Sequence, residues 1–448
     1  MKKITLGIMT ASCLIFNFQA HAQDDAPYTF NFAQALETAS SHDQDLQAAE
    51  FAYQSSVAGR GLSKAALLPQ LNFSTFVSHT ESKTENSSNA LISDGTIDFD
   101  TEGYNLSLSQ SLYNHSLYKK LQQTDMAIAS ATATVEAARQ DLVVRLATAY
   151  FNALGAQDNL KFATAEKEAI GKQLEQSQKR FEVGLIAITD VKEAQASYDT
   201  SVAQEIDAQN ILAAQFEALA VILGTYTTSI AAMKEDIPLL IPEPASMIKW
   251  TESAEQNNLA LKAAQFNYQA SQKQVDADQS EHYPYLDLVA QHNYNSPDGG
   301  RFSYSDSTDT DIRVQLTIPI YSGGFTSSKH KQSVALKEQA RSLKEKAKRQ
   351  TQQQTRDAYL GVTSTIAQVK ALKQALLSTQ AAHEATQAGF EVGTRTAIDV
   401  LSTLREVYRA ERDYARARYN YVINTLRLKQ AAGTLSMEDG QNINAFLQ

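Results

Sequence analysis

The chain has 448 residues, 43% of them hydrophobic, and its 40 basic and 50 acidic residues give a formal net charge of −10. An acidic surface repels phosphate, which argues against a nucleic-acid partner. The single cysteine, Cys13, leaves the rest of the chain without a disulfide, a thiol nucleophile or a thiolate metal ligand.

Residues 1–22 are typical of a secretory signal peptide. Two lysines precede an apolar run over 4–18, and the sequence AHA at 20–22 fits the small-residue cleavage rule. We therefore expect a mature chain that begins near Gln23. Two alternatives are a membrane anchor, for which the run is short, and a lipid at Cys13, whose preceding residues lack the usual leucine.

Two very long helices are predicted from the placement of proline. The eight prolines are absent from 70–237 and from 320–448, and proline breaks the interior of a helix. Good helix formers fill two segments of these ranges, each long enough for a helix of about 100 Å at 1.5 Å per residue. A glycine-bearing turn and a shorter helix follow each one. The predicted helices are 114–183 with 189–224, and 324–392 with 396–432.

The first long helix carries a heptad seam. Every seventh residue from Leu146 includes Ala153, Leu174 and Phe181, and the seam mixes large with small side chains. A helix of this length exceeds the diameter of a single domain, so we expect it to pack mainly on other helices.

Four segments of about ten residues alternate apolar with polar side chains. In the last, Ile312 and Val314 face one way while Arg313 and Gln315 face the other. After Phe18 no stretch reads as apolar enough for a membrane-spanning helix, whereas alternating strands suit a transmembrane barrel. A half-buried hairpin on a soluble domain is the alternative, and the signal peptide favours the barrel. The predicted strands are 67–80, 102–113, 283–295 and 310–321, around surface loops 79–103 and 295–310. Six tyrosines near strand ends predict an aromatic girdle: Tyr104, Tyr113, Tyr283, Tyr285, Tyr294 and Tyr321.

The chain repeats its own order of elements. Residues 23–235 and 236–448 each run helix, strand, loop, strand, long helix, turn and helix, with Gly184 and Gly393 at matching places. A repeat of this length indicates an internal duplication rather than a solenoid. Four strands cannot close a barrel, so their edges are expected to pair with other copies. The predicted fold class is a mixed α and β membrane protein: an oligomeric transmembrane β-barrel with four strands per chain, continued by a long coiled-coil α-helical barrel.

No catalytic or metal-binding pattern stands out in the sequence. The eight histidines have no metal-binding spacing, and the glycine-spaced motifs of hydrolases and nucleotide-binding proteins are absent. We therefore expect no enzymatic activity, no cofactor and no metal.

The sequence FEVG occurs twice, at 181–184 and 390–393. Its glycine suits the left-handed residue that ends a helix. Thr396 and Asp399 have capping-box spacing, and Asp190 lies in the first turn of its helix, where an acid is stabilising. These structural roles are sufficient, and the residues alone give no reason for either aspartate to gate a pore.

Longer stretches resemble the TolC family of outer-membrane efflux and secretion channels: ATAYFNALGAQDNL, EKEAIGKQLEQSQKRFEVGLIAITDV, FEVGTRTAIDVL, ARYNYVINTLRLKQAAGTL, LLPQL and IPIYSGG. The resemblance spans essentially the whole mature chain. It implies a homotrimer whose twelve strands form one barrel in the outer membrane of a Gram-negative bacterium, in contact with outer-membrane lipid, with the helices crossing the periplasm. It also implies export of drugs or proteins by docking to a periplasmic adaptor and an inner-membrane pump of the RND, ABC or MFS type.

The resemblance assigns residues to a gate at the repeated turns, where the second-half coil is the mobile one. Thr189, Asp190 and Arg395 would link neighbouring coils, and Asp399 would form a cation-binding ring. Two positions depart from the family, since Phe390 stands where it has a tyrosine and Ser402 where it has a second ring aspartate. We therefore expect one ring instead of two and a closed state that relies more on Arg395 with Asp190. The turn residues that would face the adaptor are Gly184, Gly393, Val183 and Val392.

The competing hypothesis is a soluble periplasmic coiled-coil adaptor or scaffold without a pore. The two differ in whether the protein is extracted from the outer membrane by detergent or is already soluble in a periplasmic extract.

Overall fold

A computed structural model describes residues 30–85, 95–299 and 305–448. The predicted signal peptide 1–22 and the middle of both predicted surface loops lie outside these residues. The α-helices are α1 Phe32–His42, α2 Gln44–Ala65, α3 His115–Glu182, α4 Ile188–Leu223, α5 Met247–Asn257, α6 Leu259–Gln279, α7 Phe325–Glu391, α8 Ala397–Ala431 and α9 Met437–Gln441. Short 3-10 helices follow α6 at Ser280–His282 and α9 at Asn442–Phe446.

Within the described part of the chain, the strands form one antiparallel sheet in the order β1-β2-β3-β4. They are β1 Gln70–Thr84, β2 Gly95–Tyr113, β3 Tyr285–Asp298 and β4 Ser307–Thr317. The two strand pairs of the sequence are joined because β2 pairs with β3. All four run further toward the loops than predicted. The prediction that β4 continues to residue 321 is wrong, because Pro319 has no N–H for the ladder and Ile320 beyond it is 94% exposed.

Strand register divides the sheet into one apolar and one polar face. Leu71 pairs with Leu108, Leu108 with Ala290 and Ala290 with Ile312, which forms an apolar row across all four strands. One residue further along, the paired row is Asn72, Ser107, Gln291 and Asp311. Because side chains alternate along a strand, these two rows lie on opposite faces.

The two long helices begin directly after the sheet. Asn114 caps α3 by accepting a hydrogen bond from the Leu117 N–H, at 3.2 Å. α3 has 68 residues and α7 has 67, so each extends for about 100 Å. α3 pairs with α4 and α7 with α8, while α3 also contacts α8 and thereby joins the two helix pairs.

The heptad seam of α3 is buried over most of its length but not at its end. Leu146, Ala153 and Leu174 are buried, whereas the prediction for Phe181 is wrong because this side chain is exposed. A second line of residues on α3 is polar: Glu166 and Gln173 are buried, and they lie seven residues apart along the same helix face.

The main core forms a belt around the middle of α3. Tyr150, fully buried, donates its hydroxyl to the carbonyls of Phe30 at 3.0 Å and Ala231 at 3.1 Å. The ring of Phe151 stacks on that of Tyr419 in α8, with centroids 5.7 Å apart.

Each predicted leading helix is split in two, at Asp43 and at Asn258, because each of these side chains caps a new helix.

Among the described residues, α4 is the one helix that is long and apolar enough to cross a membrane by length and composition alone. By this criterion the expectation that no such segment follows Phe18 is wrong. In the structure α4 lies along α3, and its buried residues include Ala194, Ala208 and Leu219. Part of its apolar surface is therefore buried by helix packing.

Candidate functional site: the two helical turns

Two similar turns end the helix pairs. Gly184 has φ +77° after α3 and Gly393 has φ +80° after α7, the left-handed conformation predicted for both. Each glycine N–H donates to a carbonyl three residues back, Gly184 to Phe181 at 2.9 Å and Gly393 to Phe390 at 3.1 Å.

The residues that precede these glycines are exposed. Val183 and Val392 have 70% and 76% of their surface accessible. Each turn therefore presents an apolar side chain at the surface of the chain.

Asp399 caps its own helix. Its Oδ2 accepts from the Thr396 N–H at 3.0 Å, and its N–H donates to Thr396 Oγ1 at 3.2 Å. The hydrogen bonds from Thr396 and the charge of Arg395 hold the pKa of Asp399 below its ordinary value. The carboxylate therefore stays ionised in mild acid. Ser402 lies on the next turn and is exposed.

Asp190 occupies the corresponding place in α4, three residues after the N-cap. The N-cap there is Ala187, which has no side chain that could form a capping bond. Thr189 is exposed and Asp190 half-buried. Arg395 is exposed in the other turn, and within the described part of one chain no ion pair joins it to Asp190. The predicted link between neighbouring coils is not formed within one chain, and its formation between copies stays a prediction.

Phe390 is the buried centre of a small cluster at the tip of the second helix pair. It is 6% exposed and packs against Ala397 and Val400 of α8. The guanidinium carbon of Arg180, in the last turn of α3, lies 4.2 Å from the centroid of the Phe390 ring. This contact joins the two helix pairs and was not predicted from the sequence. Heptad spacing places Arg180 on the same face of α3 as the buried Gln173, seven residues earlier, but it does not identify Phe390 as the partner.

A charged contact joins α3 and α8 further from the turns. Glu166 is 4% exposed, and its Oε1 lies 3.8 Å from Arg405 Nε. Burial raises the pKa of Glu166, although the charges of Arg412 and Arg405 act against that rise. The seam between α3 and α8 is thus polar toward the turns and aromatic at the core belt.

The described residues contain no group of three or more His, Cys, Asp or Glu side chains that could hold a metal ion. The two turns contain helix caps, exposed apolar side chains and charged side chains.

Comparison with known proteins agrees with this architecture. The family described as outer membrane efflux protein matches residues 35–225 and 250–434. The chain is 37% identical to the outer membrane protein TolC of Vibrio cholerae over 389 residues, which covers 86% of each chain. It is 27% identical to the proteases secretion protein PrtF of Dickeya chrysanthemi, over 92% of this chain and 90% of that one. A crystal structure of CusC superposes with a TM-score of 0.78 at 19% identity, covering 91% of this chain and 93% of CusC, which shows that the fold is shared.

Proposed function

This chain belongs to the outer membrane efflux protein family and is an outer-membrane channel for efflux or secretion, and we propose that three copies build the channel. The observation that carries the proposal is the four-stranded sheet with one apolar and one polar face and edges at β1 and β4. Four strands are too few to close. Three copies joined edge to edge would supply twelve strands, with the apolar face toward lipid and the polar face toward the pore.

Aromatic residues at two levels of the apolar face support this orientation. Tyr104 and Tyr294 stack with ring centroids 5.3 Å apart, and Phe73 lies 6.0 Å from Tyr104. A bulge in β2 places Tyr113 on the same face, where it pairs with Leu286, eight residues from Tyr294 along β3. At about 3.3 Å per residue and a tilt of about 40°, the two levels are about 20 Å apart, comparable with the ~25 Å apolar band of a membrane barrel.

The helical part would continue the channel through the periplasm. The parallel order of elements in 23–235 and 236–448 supports an internal duplication, in which each half supplies one coiled coil. Three copies would then place six coils around the pore, with all the turns at one end.

We propose that the turns form the gate. The side chains available to link neighbouring copies are the exposed Thr189 and Arg395 and the half-buried Asp190. Asp399 is held ionised by its capping bonds. Three copies of Asp399 at a constriction would attract cations, with neutral Ser402 beside them. Exposed ion pairs contribute about 0–1 kcal/mol each, so three Arg395 links could bias a gate between two states.

The exposed tips at Val183–Gly184 and Val392–Gly393 are the surface we propose for docking a periplasmic adaptor, with an inner-membrane pump of the RND, ABC or MFS type behind it. The relatives support this use in secretion, since PrtF is a proteases secretion protein. The family does not favour a soluble scaffold without a pore.

Single-channel conductance in a planar lipid bilayer tests the proposal. The purified protein should give small, cation-selective currents, and Arg395→Ser should raise them several-fold. Unchanged currents in the variant would reject Arg395 as a gate link. Folded protein that inserts no pore would overturn the channel itself.

A further inference from the structure

We infer that Arg180 and Phe390 form a latch within each chain, which holds the second helix pair against the first in the closed state. We call this contact the tip latch. The inference deepens the proposed function and rests on it. Arg180 lies in the last turn of α3, and its guanidinium carbon is 4.2 Å from the centroid of Phe390 near the end of α7.

The geometry suits attraction between a cation and an aromatic face. A guanidinium within ~6 Å of a ring centroid is attracted by the negative charge of the ring face, and more strongly when water is excluded. Phe390 is buried in a cluster with Ala397 and Val400 of α8, and the guanidinium of Arg180 lies over its ring. Arg180 therefore contacts a cluster that belongs to both helices of the second pair.

Buried polar side chains weaken the packing of α3 between Glu166 and the tip latch. Gln173 and Ser177 follow the same face of α3 between Glu166 and Arg180. Both are buried, and Gln173 Nε2 and Ser177 Oγ have no hydrogen-bond partner among the described residues. A buried polar atom without a partner is destabilising, and water would satisfy it once the seam opens. This length of seam therefore depends on the contacts at its two ends.

Those ends differ in strength. Toward the sheet, beyond Glu166, the seam reaches the stacked rings of Phe151 and Tyr419, which belong to the buried core belt. Toward the turns, the seam ends at the tip latch. Loss of the tip latch should free the end of the second helix pair as far as Glu166, while the core belt holds the rest.

Conductance of the full-length protein in planar bilayers separates the tip latch from a purely structural role. Arg180→Gln removes the charge, Phe390→Leu removes the ring but keeps an apolar side chain, and Arg180→Lys keeps the cation. The matched control is Tyr268→Leu, because Lys344 Nζ lies 5.2 Å from the Tyr268 ring in a contact of the same kind far from the turns.

Arg180→Gln and Phe390→Leu should each raise conductance several-fold. The double variant should exceed neither single variant by much, because both changes remove one interaction. Arg180→Lys and Tyr268→Leu should stay near the unaltered protein. Equal effects of Arg180→Gln and Arg180→Lys would overturn the inference, as would full additivity.

Two results distinguish a failure of the tip-latch inference from a failure of the proposed function. If Arg395→Ser opens the channel and Arg180→Gln does not, only the tip latch is rejected. If the unaltered protein forms no pore, the proposed function fails first.

Chemical cross-linking provides a second test if Phe390→Leu fails to assemble. The segment 23–448 contains no cysteine, so R180C/F390C can be joined by a short bis-maleimide. Conductance should be high before cross-linking and low after it. Conductance that stays high after cross-linking would contradict the tip latch.

Discussion

Arg145 of α3 holds Asp43, at the junction of α1 and α2, through two parallel hydrogen bonds. Nη2 lies 2.8 Å from Oδ1 and Nη1 lies 3.0 Å from Oδ2. Asp43 Oδ1 also accepts from the Leu46 N–H at 2.8 Å and so caps α2. One carboxylate therefore fixes both the bend in the leading helix and its attachment to α3.

Asp43→Asn should lower the free energy of unfolding by about 2 kcal/mol, because a buried, charge-assisted hydrogen-bonded pair is lost. The asparagine can still cap α2, so Asp43→Ala should cost about 1 kcal/mol more. Asp45→Asn is the matched control, since Asp45 lies 3.3 Å from the same Arg145 but its side chain is 81% exposed. Its effect should be at most about 1 kcal/mol. Thermal unfolding in detergent, followed by circular dichroism, measures all three.

The same pair predicts a pH dependence. Burial alone would raise the pKa of Asp43, but the hydrogen bonds from Arg145 and Leu46 outweigh it and bring the pKa below its ordinary value. A lowered pKa means that the stabilisation is complete above the unfolded pKa of about 3.9 and is lost as pH falls through the folded value. The stability gap between the unaltered protein and Asp43→Asn should persist at pH 5 and shrink below about pH 4. A gap that is already lost at pH 6 would contradict this assignment.

Local and non-local features differ in how well the sequence predicts them. The bounds of α3 and α7 lie within one residue of the predicted ones, because proline, glycine and helix propensity act within a few residues. The contact of Arg180 with Phe390 joins residues from the two halves of the chain, and the Tyr150 hydroxyl reaches backbone at Phe30 and Ala231. No local pattern encodes such distant pairs.

Two local signals were also missed or misread. Asp43 and Asn258 are good N-cap residues, but each stands inside a run that otherwise predicts one helix. Phe181 fits the heptad seam by position and is exposed all the same, whereas the preceding Arg180 contacts the second helix pair. For the gate residues Asp190 and Arg395, the assignment rests on the family resemblance, and no ion pair joins the two within one chain.

Glu166→Gln should stabilise the folded protein at alkaline pH. Burial raises the pKa of Glu166 above that of the unfolded chain, against the effect of Arg412 and Arg405. The folded state then binds the proton more tightly, so this carboxylate favours folding less as pH rises through its folded pKa. The glutamine variant should be more stable than the unaltered protein at pH 8 and indistinguishable from it near pH 4.

Glu205→Gln is the control of opposite sign. Hydrogen bonds from Lys167 and Thr164 lower the pKa of Glu205, with Lys167 Nζ 2.7 Å from Oε2. Its carboxylate is stabilising above the unfolded pKa, so the glutamine variant should be less stable at pH 8. Unfolding temperatures at pH 4 and pH 8 distinguish the two variants, and destabilisation by Glu166→Gln at pH 8 would show that attraction by the arginines outweighs burial.

Gly389→Ala should weaken the gate by displacing Arg395. A Cβ at Gly389 would lie 2.8 Å from Arg395 Cγ, whereas one at Gly361 in the same helix meets Asn424 at an ordinary 3.7 Å. Gly361→Ala should therefore only stabilise α7, by about 0.5–1 kcal/mol. In planar bilayers, Gly389→Ala should raise conductance, though less than Arg395→Ser, and Gly361→Ala should leave it unchanged. Equal conductance in both alanine variants would show that the placement of Arg395 does not affect the closed state.

Asp399→Asn should separate the two roles of Asp399. The asparagine carbonyl can still accept from the Thr396 N–H, which lies 3.0 Å from Oδ2 in the native turn, so the helix cap and the unfolding temperature should be preserved. The charge is lost, so the preference of the pore for cations should fall at neutral pH.

The lowered pKa of Asp399 predicts how cation selectivity depends on pH. The carboxylate is held ionised by hydrogen bonds from Thr396 and by Arg395, so cation selectivity of the unaltered channel should persist as pH falls to about 4. Below that range the selectivity should approach that of Asp399→Asn, because the protonated aspartate is also neutral. Reversal potentials in a KCl gradient between pH 3 and pH 7 measure both effects. Selectivity that is equal in the two proteins at pH 7 would mean that Asp399 caps its helix and lies away from the ion path.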